Sequence, residues 1–267
     1  MHFNYHQLSN DAVLKIKKAR WKARTDLLFL CNEILGYRDV TREVHGNIID
    51  TLQQFPKPNE EEFWKNDDLS TGVVKYKPII PMTKLVEIEP FKRRLILDPR
   101  GWYKTSVNAI AHTIQWIINY PNVGILIVQS NIEKAEEILA EIKTKSFVEG
   151  KIFRELFPEH VPHKKIYDWG TKGKIVTEAA DPNNPNLGAT YHKEGTVLAG
   201  GIDKGLSGKH LDVIKFSDIV DPTNTKTVSA CEETRKSYFL AENLLTAMDY
   251  WIDIEGTSVF VVRRSAH

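Results

Sequence analysis

Two short apolar runs, RLILD (Arg94–Asp98) and NVGILIVQS (Asn122–Ser130), are each followed by a stretch whose apolar residues recur on one helical face. Both runs are rich in β-branched residues and bounded by turn formers, the pattern of buried strands. After the first come Val107, Ile110, Ala111, Ile114, Ile117 and Ile118, spaced i, i+3, i+4, i+7, i+10 and i+11 along one stripe of a helix. After the second, Ser130 and Glu133 have capping-box spacing, and Ile132, Ala135, Ile138, Leu139 and Ile142 form another stripe. Strands that alternate with helices in this way pair in parallel through right-handed crossovers. Further strands are expected in KIVTEA, GTVLAGG, DVIKFSD and YWIDIEG, with a helix from about Ser229 to Met248 between the last two. The expected fold class is therefore α/β, with a mostly parallel central sheet flanked by helices and strands near Leu95, Ile127, Val197, Ile214 and Ile252.

The segment before the first strand has a different texture. Residues from about Ala12 to Phe55 read as helical, with DLLFLCNEILGY as the apolar part, and Pro56 to Lys77 read as a polar loop with acids at Glu60 to Glu62. We therefore divide the chain into a helical N-terminal segment with its polar loop, residues 1–80, and an α/β core, residues 81–267. The 267 residues, 42% hydrophobic and 27% charged, have enough apolar content for one large domain or two small ones. A net charge of +1 supplies no bulk basic field, so nucleic acid would have to be met by a local patch. No apolar run reaches the roughly 20 residues of a membrane helix, so no membrane partner is expected. The N-terminus is too polar for a secretory signal, and Cys31 and Cys231, far apart in sequence, suggest a reducing compartment.

The connection after the first strand, DPRGWYKTS, carries candidate chemistry. A phosphate-binding loop surrounds phosphates with backbone N–H groups at a helix N-terminus, adds a lysine charge, and offers a Ser/Thr hydroxyl to magnesium. Lys104 and Thr105 stand at the right place between strand and helix, and Gly101 keeps some loop freedom. Asp98 and Tyr103 occupy the two positions where the usual pattern has glycine. An ordinary strand-to-helix turn with a surface lysine is the alternative. A second element is LDVIKFSDIVD, an apolar run that ends in acid. Aligned on four apolar residues and two acids, Val213 to Phe216 form the strand, Ser217 takes the first acid position and Asp218 the second. Lys215 is out of place in a buried strand, and a strand that simply ends in a solvated Asp is the alternative. Asp221 is a further acid, but Pro222 after it fits a plain turn. His210 has no Cys/His partner at ligand spacing and reads as a turn residue. The run Lys92 to Arg94 reads as a solvated strand start, and Trp116 as core or helix surface.

Taken in order, these pieces resemble the ATPase domain of tailed-phage large terminase, over about Asp26 to Ser258. FLCNEILGYRDVTREVHGNIIDTL is similar to the helical entry segment of that family, and LDPRGWYKTSV to its Pro-Arg-Gly-x-x-Lys-[Ser/Thr] loop. GILIVQSNIEKAEEIL, FRELFPE and GTVLAGGIDKGLSGKHLDVIKFSDIVD follow in family order, and DIEGTSVF places Gly256-Thr257 like the family's coupling motif. The resemblance implies a P-loop NTPase of the ASCE type, with ATP and Mg2+ as cofactors. Pro99, Arg100, Gly101, Trp102, Tyr103, Lys104, Thr105 and Ser106 would bind nucleotide. Thr105, Ser217 and Asp218 would face the metal. Arg100 would stabilise transition-state charge and Asp218 would handle the attacking water; Gly256 and Thr257 would couple hydrolysis to movement. The implied partners are double-stranded DNA, the portal protein, the small terminase subunit and further copies in a ring on the portal, within the host cytoplasm. The family continues into a nuclease domain that we expect to be missing here, since the chain ends at VVRRSAH. A helicase-like nucleic-acid ATPase, or a catalytically weak scaffold suggested by Tyr103 and Ser217, are the competing readings. Two further expectations follow. The strand leading to Lys104 should lie beside the strand ending at Ser217, because both serve one magnesium ion. Ser217→Asp should tighten magnesium binding by restoring the acid.

Overall fold

A computed structural model of the protein describes residues 8–53, 93–120, 123–161, 174–175, 195–204, 208–245 and 250–257. Its six strands are β1 (Arg93–Asp98), β2 (Ile125–Gln129), β3 (Lys174–Ile175), β4 (Val197–Gly201), β5 (Val213–Ser217) and β6 (Trp251–Thr257). They form one sheet in the order β1-β6-β5-β2-β4-β3, parallel throughout except where β3 pairs with β4. Each expected apolar run is a strand; of KIVTEA, only Lys174 and Ile175 lie within the described residues. β2, β4 and β5 are buried along their whole length, which is why they read as near-continuous apolar runs rather than as alternating ones.

One expectation is corrected. β1 is not beside β5, because β6 lies between them. Adjacency is unnecessary for a shared site: two strand spacings amount to about 10 Å, and that gap is bridged by side chains reaching over the end of the intervening strand.

The N-terminal segment is helical but not continuous. Helix α1 (Asn10–Thr25) is capped by the Ser9 side chain, which accepts from the Ala12 N–H. Asp26, in extended conformation, ends α1 and caps α2 (Leu27–Phe29), which runs into a π-helical turn, Leu30–Ile34. Gly36 at φ +76° then breaks the helix, and Thr41 caps α3 (Arg42–Leu52). After β1 a π-helical stretch, Ser106–His112, continues into α4 (Thr113–Asn119). Helix α5 (Ile132–Ile142) is capped by Asn131, which accepts from the Lys134 N–H. The cap is therefore one residue later than the Ser130–Glu133 spacing suggested; Ser130 instead accepts from Lys134 Nζ. Helix α6 (Lys151–Leu156) follows, and α7 (Val228–Glu242), capped by Thr227, stands for the helix expected from Ser229. Met248, its expected end, lies outside the described residues. Among the described residues no helix is long and apolar enough to cross a membrane.

Strand alternation divides the core between the two faces of the sheet. On one face Ile125, Ile127, Val213 and Trp251 pack with Ala23, Leu27, Ile49, Ile110, Trp116 and Leu139. The N-terminal helices thus share one core with the helix that follows β1. On the other face Leu126, Val128, Ile214, Phe216 and Ile252 pack with Ala241 and Leu244 at the end of α7. Helix α1 is pinned further by Arg20, whose guanidinium donates to Glu159 at 2.7 Å and to the Leu156 carbonyl, and by Arg24, whose Nε donates to the Ile118 carbonyl at 3.0 Å.

A row of charges runs across three strands on the first face. Arg94, Asp253 and Lys215 are register partners on β1, β6 and β5. Arg94 Nε donates to Asp253 Oδ1 at 2.7 Å, and Lys215 Nζ donates to Asp253 Oδ2 at 2.7 Å and to Asn108 Oδ1 at 2.9 Å. All three ions are buried. Lys215 is therefore in place after all, as one member of a paired ladder. Arg94 is likewise no solvated strand start: its Nη1 also donates to the carbonyls of Thr51 and Leu52, tying the end of α3 to β1. Burial, with Lys215 alongside, lowers the His112 pKa to about 3, and burial lowers that of His160 to about 4, from an ordinary 6.5. Both imidazoles are then neutral in the folded chain across a range where the unfolded chain takes up protons. Their contribution to stability is complete above about pH 6.5 and is lost as the pH falls towards the folded values. We expect the urea midpoint to drop steadily from about pH 7 to about pH 4.5; a flat midpoint over that range would refute the assignment.

Candidate functional site

The loop between β1 and the following helix has a defined backbone shape. The Trp102 N–H approaches the Pro99 carbonyl at 3.4 Å, and Gly101 sits at φ +85°, the third position of a turn that needs a left-handed residue there. Tyr103 then adopts φ +50°. This is the conformation that a glycine at this place would take without cost, held here by a tyrosine. What holds it is the side chain: Tyr103 Oη donates to Asp39 Oδ2 at 2.9 Å, and the ring meets His45 edge-on at 6.0 Å. The missing glycine is thus exchanged for a tether to the N-terminal segment. The Tyr103 carbonyl accepts from the Val107 N–H at 2.8 Å, so Lys104 and Thr105 open the helix. The first amides of a helix have no partner within it and favour anions.

Three elements converge on Lys104, whose residue is only 7% exposed. Its ammonium donates to Asp218 Oδ2 at 2.9 Å, to Asp218 Oδ1 at 3.1 Å and to Thr257 Oγ1 at 2.7 Å. Asp218 follows β5 at φ +47°, a strained geometry for a non-glycine residue. Its N–H donates to the Glu255 carbonyl at 3.0 Å, which fixes the turn that aims its carboxylate at Lys104. Thr257 ends β6, where Gly256 lies against β1: a Cβ there would stand 3.2 Å from Leu97 Cδ2.

Beneath this trio lies a residue that the sequence reading missed. Glu255 is the register partner of Ser217 and is 1% exposed. Its Oε1 accepts from Thr105 Oγ1 at 2.9 Å and from Ser217 Oγ, and its Oε2 accepts from Asn108 Nδ2 at 2.9 Å. Ser217 Oγ in turn accepts from Gln129 Nε2 at 2.9 Å. Burial raises the Glu255 pKa, and the donors from Ser217, Asn108 and Thr105, with the Lys104 charge, oppose that rise. The signal was present in YWIDIEG: Asp253 and Glu255 are two residues apart, so a strand puts both on one face.

The remaining sequence candidates divide. Arg100 and Trp102 are exposed on the loop, and Ser106 is half-buried one residue into the helix. Among the described residues Arg100 forms no ion pair. Asp221 accepts from the N–H groups of Thr223 and Asn224 at 2.8 and 3.1 Å, which makes it the turn residue that Pro222 suggested. Trp116 is core, packed against Trp251 at 5.8 Å. The donors at the site are hydroxyls and carboxylates, the oxygen chemistry that suits magnesium rather than a soft transition metal. Among the described residues no group of three or more His, Cys, Asp or Glu gathers to hold an ion unaided. A metal here would need ligands from its own phosphate partner, which is how magnesium is commonly held. No family model matches the chain, and no curated protein matches it.

Proposed function

We propose that the chain is the ATP-hydrolysing motor domain of a tailed-phage large terminase, which drives double-stranded DNA into a prohead. One observation carries the reading. Lys104, Asp218 and Thr257 meet at the carboxyl end of a parallel sheet, within hydrogen-bond distance of one another, and that end is where α/β sheets bind ligands. These are the loop lysine, the acid after the strand and the coupling threonine of the terminase pattern. The fold is thereby read as a P-loop NTPase of the ASCE type, with β6 as the strand inserted between β1 and β5.

Bound ATP with Mg2+ would supply the phosphoanhydride to be cleaved and the charge that polarises it. The residues present fit that role. Lys104 and the amides from Tyr103 to Ser106 would hold phosphate oxygens, and the Thr105 hydroxyl would be the metal-side group. With Lys104 engaged on phosphate, Asp218 would keep only the Thr257 hydroxyl as a side-chain partner and would be available to orient a water. Arg100, exposed on the same loop, is placed to stabilise charge that develops on the transferred group. Thr257 touches both Lys104 and Asp218, so a change at either reaches β6 directly. On the same reading the partners are double-stranded DNA, the portal protein, the small terminase subunit and other copies in a ring, in the host cytoplasm.

Asp218→Asn tests the assignment. It keeps the hydrogen-bonding shape but removes the base, so nucleotide affinity should persist while turnover falls by about 10²- to 10⁴-fold. Turnover that survives at the wild-type rate would remove Asp218 from the chemistry. A second reading, a catalytically weak scaffold, is favoured by the uncharged Ser217 in the metal-side position. ATP turnover measured with DNA present separates the two.

A further inference from the structure

The proposed reading leaves a gap in the site, and the structure suggests where the missing group has gone. The first acid position on β5 is Ser217, which is neutral. We propose that Glu255, on the neighbouring strand β6, supplies the metal-side carboxylate that β5 lacks, so that a magnesium-nucleotide is held between Thr105 and Glu255. This rests on the phosphate-loop reading of Lys104 and Thr105.

Register makes the exchange possible. Ser217 and Glu255 are paired residues of adjacent parallel strands, and both side chains face the helix that follows the candidate loop. A carboxylate moved from position 217 to position 255 therefore crosses one strand spacing, about 4.8 Å. The longer glutamate side chain brings its oxygens back over Ser217, as the hydrogen bond between them shows. Thr105 fixes the distance. Its hydroxyl, the group assigned to the metal, donates to Glu255 Oε1 at 2.9 Å. A cation bound to Thr105 Oγ1 therefore has Glu255 Oε1 within reach, directly or through one bound water.

Charge balance makes the same point independently. The other buried acid on this face of β6, Asp253, is flanked by Arg94 and Lys215. Glu255 is as buried, yet among the described residues it forms no ion pair. Its side-chain partners are two hydroxyls and an amide. The nearby Lys104 directs its hydrogen bonds to Asp218 and Thr257 instead. With the Lys104 and Lys215 ammonium groups near but bonded to other acids, this buried carboxylate is only partly compensated, and a divalent cation beside Thr105 would supply the rest of the counter-charge. The earlier expectation for Ser217→Asp changes accordingly. With Glu255 in place, that substitution sets two buried carboxylates in contact, which disfavours the ionisation of one, so the single substitution is expected to give little benefit.

The test is ADP binding by calorimetry on the full chain, with magnesium and with EDTA, which needs no catalysis. The expected result is that Glu255→Gln loses most of the magnesium-dependent part of ADP affinity, about tenfold or more, and leaves binding in EDTA unchanged. Ser217→Ala should keep the magnesium effect, and the exchange Ser217→Asp/Glu255→Ser should restore it. The exchange variant decides the matter if Glu255→Gln proves unstable, since it keeps one carboxylate in the same space. A full magnesium effect in Glu255→Gln, or its loss in Ser217→Ala alone, would overturn the proposal and leave the phosphate loop standing. Failure of the wild-type chain to bind ADP under either condition would overturn the phosphate-loop reading and this proposal with it.

Discussion

ATP hydrolysis by the Lys104→Ala protein should fall to the uncatalysed background, with ATP affinity weakened roughly 10- to 100-fold. The affinity estimate follows from the worth of a hydrogen bond to a charged group, about 1.5–3 kcal/mol, where each 1.4 kcal/mol is a factor of about ten. Lys104 is buried to 7% exposure, and its ammonium is held by Asp218 and Thr257 at the carboxyl end of the sheet. The substitution should cost little stability. It releases Asp218, whose side chain is 41% exposed, so water can take over the carboxylate. Loss of function without loss of fold is therefore the expected outcome. Titration calorimetry beside a urea melt checks it. Unchanged ATP affinity in a folded Lys104→Ala protein would reject the phosphate-loop reading.

Asp253→Ala should do the reverse and remove fold rather than chemistry. It would leave Arg94 and Lys215 buried together with no anion between them. Breaking a buried pair in this way costs about 3–5 kcal/mol, a large share of the about 5–15 kcal/mol that stabilises a typical domain. Burial alone would raise the Asp253 pKa, but the Arg94 and Lys215 charges, with the His112 imidazole, hold it well below the usual carboxylate range, so its charge persists to low pH. Lys215→Met should cost less, because Asp253 keeps Arg94. Because Lys215 and Asp253 touch, the double variant Lys215→Met/Asp253→Leu should lose less than the two single changes added together. Urea unfolding of the three proteins measures this. A loss below about 1 kcal/mol for Asp253→Ala would mean that water reaches the ladder and that it acts as a surface pair.

How far the fold was legible can be judged from these same strands. The apolar runs at Leu95, Ile127, Val197, Ile214 and Ile252 marked strands because short-range pattern decides burial, and burial decides strand or helix. Strand order was not legible in the same way. Nothing local in RLILD or DVIKFSD says that WIDIEGT will separate them, since that choice is made by long-range pairing. Lys215 shows the limit most clearly. Read alone it contradicted a buried strand, and it makes sense only once Asp253 is found opposite it. Tyr103 is a similar case: the missing glycine pointed to a defective loop, whereas the contact with Asp39 that holds the left-handed backbone comes from a distant segment. The interruption of the N-terminal helix was closer to the surface of the sequence, because Asp26 and Gly36 are residues that cap and break helices. The residues around Lys104 were singled out by their order along the chain. Glu255 was not, because its importance comes from register with Ser217 and from no motif of its own.

The central position of β6 also bears on how the chain reaches this state. Among the described strands β1 has no hydrogen-bonded neighbour except β6, and the pairing of Arg93 with Ile252 joins the first described strand to the last. During synthesis β2, β4 and β5 can associate while β1 waits, with Arg94 and the exposed Leu95 and Leu97 still without a strand to lie against. Such long-range closure is entropically slow. Entry of β6 then completes in one event the ladder through Asp253, the contacts of Glu255 and the clasp of Thr257 on Lys104. A slip of one residue as β6 enters would turn all three polar side chains to the face lined by Ile214 and Phe216. The charges that cost most to bury are thus the ones that admit a single alignment, and the site is assembled in the same step that commits the sheet.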